Sequence, residues 1–346
     1  MCGIAGLAGP RSHRSPSGVL EPMVHALARR GPDGSGIHAW DTAIFGHRRL
    51  AIFDLSDRGK QPMVSEDGSV GVTFNGAIYN FRALRQELER DGWAFRSETD
   101  TEVLLHGYRH WGIERLVSRL QGMFAFGVWD DHRRTLFLVR DRLGVKPLHY
   151  AVQDNSIAFA STARALRRGG HGDGLDPQAV TDFLEWGVVP EQRSIYLGIQ
   201  KLPPATIATW YEGTLSLATY WSVPAAPPRT ARRFEDIVDE AESLLVEAVR
   251  RRTEADVPVG ALLSGGVDSA LVCWALRECG TDPNAFTYGA PGEPEDETAD
   301  ARETARELGI PLTVLPAESG HDDWADLAAA YPEPFACGSA IGMLRL

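Results

Sequence analysis

The chain changes character at one place. The stretch SVPAAPPRT at 222–230 carries three prolines in nine residues. Proline fixes φ and offers no N–H donor, so such a stretch connects elements and joins none of them. Before it come short apolar runs at 43–45, 70–74, 124–129, 135–140 and 156–160, punctuated by Gly and Asp, with helical patterns over 81–90 and around 101–111. Short strands with a few helices predict a layered α+β domain. After it the rhythm is different. Residues 234–252 place Ile237, Ala241, Leu244, Leu245 and Ala248 at helical spacing. An apolar strand at 257–263, a glycine turn and a helix ending near Gly280 follow. Then come a strand at 285–288, a helix at 297–308 and a strand at 312–315. Strand–helix alternation of this kind predicts a parallel α/β sheet. A length of 346 residues suits about two domains. The expected division is 2–221, a linker at 222–233, and 234–346.

Composition narrows the classes of function. Thirty-five Lys and Arg against 47 Asp and Glu give a net charge of −12, a poor basis for binding a polyanion, so no nucleic-acid partner is expected. No apolar run reaches the roughly 20 residues of a membrane span, and no membrane partner is expected. The start MCGIAG lacks the basic segment of a secretory signal. The four cysteines form no CxxC pair. This argues against a disulfide scaffold and a zinc site and fits a reducing compartment, so a cytoplasmic location is expected.

Cys2 follows the initiator Met1 directly. Removal of Met1 would leave a thiol and a free α-amine on one residue. An α-amine titrates near pH 8, low enough to act as base for its own side chain. The glycines at 3 and 6 would let other backbone approach closely. Further along come RRGPDGSG at 29–36, HRRLAIFD at 47–54, Gln61-Pro62, NGAIYN at 75–80, SETDTEV at 97–103, GMFAFGVWD at 122–130 and RDRLGVKPLHY at 140–150. Thr99 or Asp100 could cap the helix that follows. Taken singly these have plain explanations: Asn-Gly is a common turn, Arg48 and Arg49 could be surface residues, and Asp100 could be a helix cap.

Taken together and in this order, the motifs resemble the glutamine amidotransferase domain of the glutamine-hydrolysing asparagine synthetase family. The resemblance implies an N-terminal-nucleophile hydrolase fold with αββα layers. It implies that Cys2 attacks the side-chain amide of glutamine, giving a thioester and ammonia. The Asn75 side chain and Gly76 N–H would form the oxyanion hole. Arg49 would hold the α-carboxylate with its fork of donors, Asp100 the α-ammonium, and Leu50, Ala51, Ile52 and Phe53 would line the pocket through their backbone. The family pattern is usually NGEIYN, and Ala77 stands here in place of the glutamate that helps Asp100. A hydrogen bond to a charged group is worth roughly 1.5–3 kcal/mol, so glutamine binding weaker by about one to two decades is expected, with the chemical steps intact.

In the second half, VPVGALL at 257–263 runs into SGGVDS at 264–269. Backbone N–H groups of such a turn converge, and the following helix start adds positive potential, which makes a phosphate site. The Gly-Lys-Ser/Thr of a Walker loop is absent. A first-turn helix acid is the plain explanation of Asp268. The sequence resembles the pyrophosphate loop of ATP pyrophosphatases, and the resemblance implies ATP and Mg²⁺ as cofactors. Ser264, Gly265, Gly266 and Ser269 would contact phosphate, Asp268 would carry Mg²⁺ and the Leu262 and Tyr288 backbone would border adenine. A carboxylate attacking the α-phosphorus would become an acyl-adenylate, ready for ammonia. One chain with both sites would supply an internal channel for that ammonia. The resemblance runs through YPEPFA at 331–336, but the family's further Ser-Gly-Glu-Gly-x-Asp-Glu motif does not occur in these residues. The second domain is therefore expected to be an incomplete ATP-pyrophosphatase sheet, short in this chain or completed by a second polypeptide.

The resulting expectation is a carbon–nitrogen ligase that hydrolyses glutamine and amidates an activated carboxylate, aspartate by family default, with a homodimer or a second polypeptide as partner. The alternatives are a chain that works only as a glutaminase, one that amidates or cyclises another acid in specialised metabolism, and a non-catalytic remnant.

Overall fold

The computed structural model describes residues 1–10, 16–225, 232–289, 296–316, 323–337 and 339–345. Residues 226–231 of the expected linker lie outside the described residues. The chain divides into two compact units, Met1–Pro224 with Tyr331–Ala336, and Ala225–Ala330 with Cys337–Leu346.

The first unit contains β1 (Gly3–Ala8), α1 (Pro16–Ala26), β2 (Gly34–Ala39), β3 (Ala43–Arg49), β4 (Met63–Val64), β5 (Val70–Ile78), α2 (Phe81–Arg90), α3 (Asp100–Trp111) and α4 (Ile113–Arg119). These are followed by β6 (Gly122–Asp130), β7 (Thr135–Arg140), β8 (His149–Gln153), β9 (Ser156–Ala160), α5 (Ala163–Arg168), α6 (Pro177–Trp186), β10 (Gln200–Lys201), β11 (Thr206–Tyr211) and β12 (Thr214–Thr219). Two six-stranded sheets result, in the orders β10-β8-β9-β1-β3-β2 and β12-β11-β7-β6-β5-β4.

Alternation along the strands explains the layers. On β6, Phe124, Phe126 and Val128 face one way and pack with Leu84 and Leu88 of α2, Val103 and Leu104 of α3 and Leu116 of α4. Ala125 and Trp129 of the same strand face the other way, against Ile4, Phe45 and Phe159 of the first sheet. The outer side of that sheet presents Ala5 and Leu7 to Leu20, Met23 and Leu27 of α1 and Leu166 of α5. Helices, sheet, sheet and helices stack in that order. Because both faces of each central strand are buried, these strands read as continuous apolar runs, which is why their centres were legible in sequence and their polar ends were not.

Gly3 and Gly6 differ from expectation. Side chains, not backbone, come close to them: a Cβ on Gly3 would lie 2.7 Å from Leu27 Cβ, and one on Gly6 would lie 2.5 Å from the Phe159 ring. The helix α3 also departs from expectation at its start. Thr99 stands at the N-cap without a side-chain bond to the helix; its hydroxyl lies 3.2 Å from Ser97 Oγ. Instead Glu102 reaches back, accepting from Arg96 N–H and Ser97 N–H at 2.8–3.1 Å and from the Ser97 hydroxyl at 2.6 Å.

The six residues 331–336, placed by the sequence in the second domain, pack with the first unit. Glu333 accepts from Ile195 N–H at 2.7 Å and lies 3.3 Å from Lys201 Nζ and 3.5 Å from His149 Nε2. Burial works to raise its carboxyl, but His149, Lys201 and the Ile195 amide hold it down at about 2.

The second unit contains α7 (Phe234–Arg250), β13 (Gly260–Leu262), α8 (Val267–Glu278), β14 (Asn284–Gly289), α9 (Thr298–Leu308), β15 (Leu312–Pro316), α10 (Asp323–Ala330) and α11 (Ala340–Arg345). Its three strands are parallel, in the order β13-β14-β15, with Ala261 opposite Ala285 and Ala285 opposite Leu312. Val249, Leu263, Cys273, Leu276, Ala301 and Ala305 form its core. The first strand is shorter than its apolar run, because 257–259 precede the paired segment. No helix among the described residues is long and apolar enough to cross a membrane.

Adding one methyl at Gly6 is expected to overpack the space between the sheets. Gly6→Ala should destabilise the first unit by about 1–3 kcal/mol, read as a lower urea midpoint of the buried-tryptophan fluorescence. An unchanged midpoint would show that Phe159 yields without cost.

Candidate active site

The site is built on a strand that outlasts its neighbour. β5 pairs with β6 along its whole length, from Val70 opposite Asp130 to Ile78 opposite Gly122. On its other edge it meets only the two residues of β4, Met63 opposite Val72 and Val64 opposite Gly71. Antiparallel strands turn the backbone groups of alternate residues to opposite edges. Phe74, Gly76 and Ile78 therefore turn theirs to the edge that β4 leaves open. Phe74 N–H donates to Gln61 Oε1 at 2.7 Å, and the Phe74 carbonyl lies 3.1 Å from His47 Nε2. Ile78 N–H donates to Asp100 Oδ2 at 2.9 Å. Between them, Gly76 N–H faces a cavity of about 220 Å³ lined by Cys2, Arg49, Asn75, Gly76, Asp100 and others. Gly76 has no room for a side chain, since a Cβ there would meet the Met123 carbonyl at 2.2 Å.

Cys2 reaches the cavity from the start of β1. Its thiol donates to the Leu50 carbonyl at 3.6 Å, and Leu50 N–H donates to Sγ at 3.4 Å. Arg30 Nε fixes the Cys2 carbonyl at 3.0 Å. Burial raises the thiol above its ordinary value. The α-amine of Met1, the residue before it, is lowered, by burial first and then by the Arg30 and Lys146 cations.

Asn75 is 1% exposed, and neither polar atom of its side chain has a hydrogen-bond partner. A buried amide left unpaired costs about 1–3 kcal/mol, so it is held ready for something that enters the cavity. Asp100, 4% exposed, is pushed up to about 7 by burial, against the Ile78 amide that would favour its charge. Arg49 leans on the 53–56 loop, donating to the Ser56 carbonyl at 2.8 Å, to the Phe53 carbonyl at 3.2 Å and to the Asp54 carbonyl. Those bonds use three of its five donors.

The cavity thus brings together Cys2, Arg49, Leu50, Ile52, Phe53, Asn75, Gly76, Ala77 and Asp100. Ala51 is not part of its lining; its N–H donates to Asp33 Oδ2 at 2.8 Å instead. The lining also includes Gln61, Thr101, Met123 and Lys146, which the sequence reading gave no role. Gln61 and Lys146 stood inside motifs already noted, but nothing local marks a residue that works through a distant backbone.

In the second unit, Ser264, Gly265 and Gly266 turn between β13 and α8. Ser264 Oγ lies 2.9 Å from Ser269 Oγ and accepts from Gly266 N–H at 3.1 Å. Gly265 N–H donates to Glu297 Oε2 at 3.0 Å. The turn therefore holds a carboxylate oxygen where the resemblance places a phosphate oxygen. Asp268 lies in the first turn of α8. Leu262 ends β13, and Tyr288 lies on β14 opposite Leu315. Among the described residues no group of three or more His, Cys, Asp or Glu could hold a metal ion.

Two layered sheets flanked by helices, with Cys2 one residue from the chain's start in the cavity at an open strand edge, are the architecture of an N-terminal-nucleophile glutamine amidotransferase domain. The chain belongs to the glutamine amidotransferase family, in the form followed by an asparagine synthase region: the glutamine amidotransferase domain model matches residues 1–221 and the asparagine synthase model residues 240–346. It is 32% identical over 326 residues to asparagine synthetase [glutamine-hydrolyzing] 1 of Bacillus subtilis, covering 93% of this chain and 51% of that one. It is 36% identical over 313 residues to a putative asparagine synthetase of Mycobacterium tuberculosis, covering 83% and 47%. It is 31% identical over 348 residues to Amidase chry2 of Gibberella zeae, covering 91% and 51%. The chain spans about half the length of these relatives. Glutamine phosphoribosylpyrophosphate amidotransferase from B. subtilis, solved with ADP and GMP, shares the fold at a TM-score of 0.50 and 18% identity, over 90% of this chain and 65% of that one.

Asp100 gives a signature in stability. Its folded value of about 7 lies above the ordinary 3.8, so between those values the folded state keeps a proton that the unfolded state releases. Stability then falls as pH rises through this window. Asp100→Asn, which cannot ionise, should gain stability relative to the parent between pH 5 and pH 8. Equal urea midpoint differences at the two pH values would contradict the raised value.

Proposed function

We propose that the first unit hydrolyses glutamine to glutamate and ammonia, and that the protein uses this ammonia to amidate an ATP-activated carboxylate. The observation that carries the reading is the buried, unpartnered Asn75 side chain in the wall of the cavity that holds Cys2. With Met1 removed, the Cys2 amine takes the thiol proton and the sulfur attacks the side-chain carbonyl carbon of glutamine. The carbonyl oxygen becomes an oxyanion facing Asn75 Nδ2 and Gly76 N–H. One such donor is worth about 2.7–4 kcal/mol in an acyl-transfer transition state. The amine returns the proton to the leaving nitrogen, ammonia departs and a thioester remains. Water then adds to the thioester, releasing glutamate and restoring the thiol. Arg49 and Leu50–Phe53 orient the α-carboxylate end, and Asp100 the α-ammonium. Bound ammonium favours the charged form of Asp100, so substrate binding releases a proton below about pH 7.

The second unit supports the ATP half of the reading. A turn that already holds the Glu297 carboxylate on Gly265 N–H has the donors for phosphate oxygen. Ser264, Gly265, Gly266 and Ser269 would hold the phosphates, with Leu262 and Tyr288 beside the base. Mg²⁺ is commonly held by one or two carboxylates together with substrate phosphates, and Asp268 would be one of them. ATP, when bound, supplies the leaving group that makes a carboxylate reactive toward ammonia. The synthetase relatives are named for asparagine, and aspartate, the acid whose amide that is, is the acceptor in this reading. The amidase name of one relative, an amide-hydrolysing activity, favours a chain that works only as a glutaminase as the second reading.

The test is glutamate release from glutamine by the full chain, with mass spectrometry of its terminus. Cys2→Ala should reduce release to background, and active protein should begin at Cys2. Retained Met1 in active material would remove the proposed base, and release undiminished by Cys2→Ala would remove the nucleophile. Ala77→Glu should lower KM for glutamine by about ten- to a hundredfold at nearly constant kcat, by restoring a charged partner beside Asp100. An unchanged KM would show that Asp100 binds the ammonium group unaided.

A further inference from the structure

The open edge of β5 is finished by side chains. Past the end of β4, the backbone groups of Phe74 would be left without a strand to pair with. Gln61 and His47 take that strand's place. Gln61 Oε1 accepts from Phe74 N–H, and its Nε2 donates to Thr101 Oγ1 at 3.1 Å. Thr101 follows Asp100 at the start of α3. His47 comes from β3, in the other sheet, and is 0% exposed. A carbonyl only accepts, so Nε2 carries the hydrogen and donates to Phe74. Thr73, one residue earlier, donates from its hydroxyl to the Gly46 carbonyl at 3.3 Å. The segment just before Asn75 is thus fastened to both sheets and to α3, while Asn75 itself has no hydrogen-bond partner for its side chain.

We infer that His47 and Gln61 are positioning residues for the oxyanion hole: by gripping both backbone groups of Phe74 they fix the next two residues at the angle where the Asn75 side-chain Nδ2 and the Gly76 backbone N–H meet the developing negative charge. The inference deepens the glutaminase reading and rests on it for its kinetic part. Its chemistry has a definite form. The Phe74 carbonyl needs a hydrogen-bond donor held at the position of the His47 Nε2, and no charge. The groups that face His47 fit this: the Phe74 carbonyl on one side, the Arg49 cation nearby, and no carboxylate among its bonded partners. Burial first, and then the Arg49 cation, keep the imidazole neutral at physiological pH against the Phe74 hydrogen bond.

Glutamine at position 47 places an amide N–H near the Nε2 site, whereas methionine fills the volume and donates nothing. In the full chain, His47→Met should lower kcat for glutamine hydrolysis by about tenfold or more, a fraction of the 10²–10³ that a whole oxyanion donor is worth, with KM for glutamine within about threefold. His47→Gln should restore kcat to within about fivefold of the parent, and the parent's pH profile should persist. A kcat unchanged in His47→Met, a KM that rises in step with the loss, or a glutamine variant no better than methionine would overturn the inference. If the parent releases no glutamate, the glutaminase reading fails by itself, and the brace is judged from crystal structures of the same variants. Asn75 and Gly76 displaced in His47→Met and returned in His47→Gln support it, and Asn75 and Gly76 in place in His47→Met refute it.

Discussion

Everything at the site follows from a length mismatch between two neighbouring strands. β4 covers two residues of β5 and stops, and β5 runs on with one edge bare. An unpaired backbone edge is ordinarily a liability that a fold must cover. Here Phe74 is covered by two side chains and Ile78 by the Asp100 carboxylate, and the interval between them is the cavity wall. The Gly76 N–H, the backbone donor of the proposed oxyanion hole, therefore needs no special loop. It is what a sheet exposes when one ladder ends early.

Burial governs the charges in the same place. It pushes Asp100 up to about 7, holds His47 down at about 3 and raises the Cys2 thiol. All three shifts favour the neutral form, as expected where water is scarce. The cavity keeps less charge of its own at Asp100 and Cys2 than free side chains would carry, and a zwitterion with its own ammonium and carboxylate would supply the missing counterpart. Ala77, where the family pattern has a glutamate, spares Asp100 a like-charged neighbour, and in the proposed reading Asp100 would meet the ammonium with one partner fewer.

The sequence carried the layers well where a strand is apolar on both faces, as along 124–129 and 135–140, because such runs admit few other folds. It carried the cavity wall from Cys2 through Asn75 to Asp100 because those positions lie in motifs whose order is distinctive. It carried poorly what depends on distant meetings. His47 and Gln61 act on a backbone 27 and 13 residues away, and no local pattern marks that. Ala51 looked like pocket lining by adjacency, but its amide turns to Asp33. Gly3 and Gly6 announced close approach correctly and the identity of the approaching groups wrongly, since periodicity does not say which ring or methyl sits opposite.

The segment Tyr331–Ala336 has a temporal meaning. On a ribosome the two sheets of the first unit emerge more than a hundred residues before Glu333 does. Until it arrives, Lys201 and His149 lack the carboxylate that they later share, and the amide of Ile195 lacks its acceptor. Domains tend to fold as units while the chain is still growing, yet this one can only be finished after the strands of its neighbour have been made. Completion of the first unit is in that sense postdated, so that the last buried contacts of Glu333 close only once the bulk of the following unit exists.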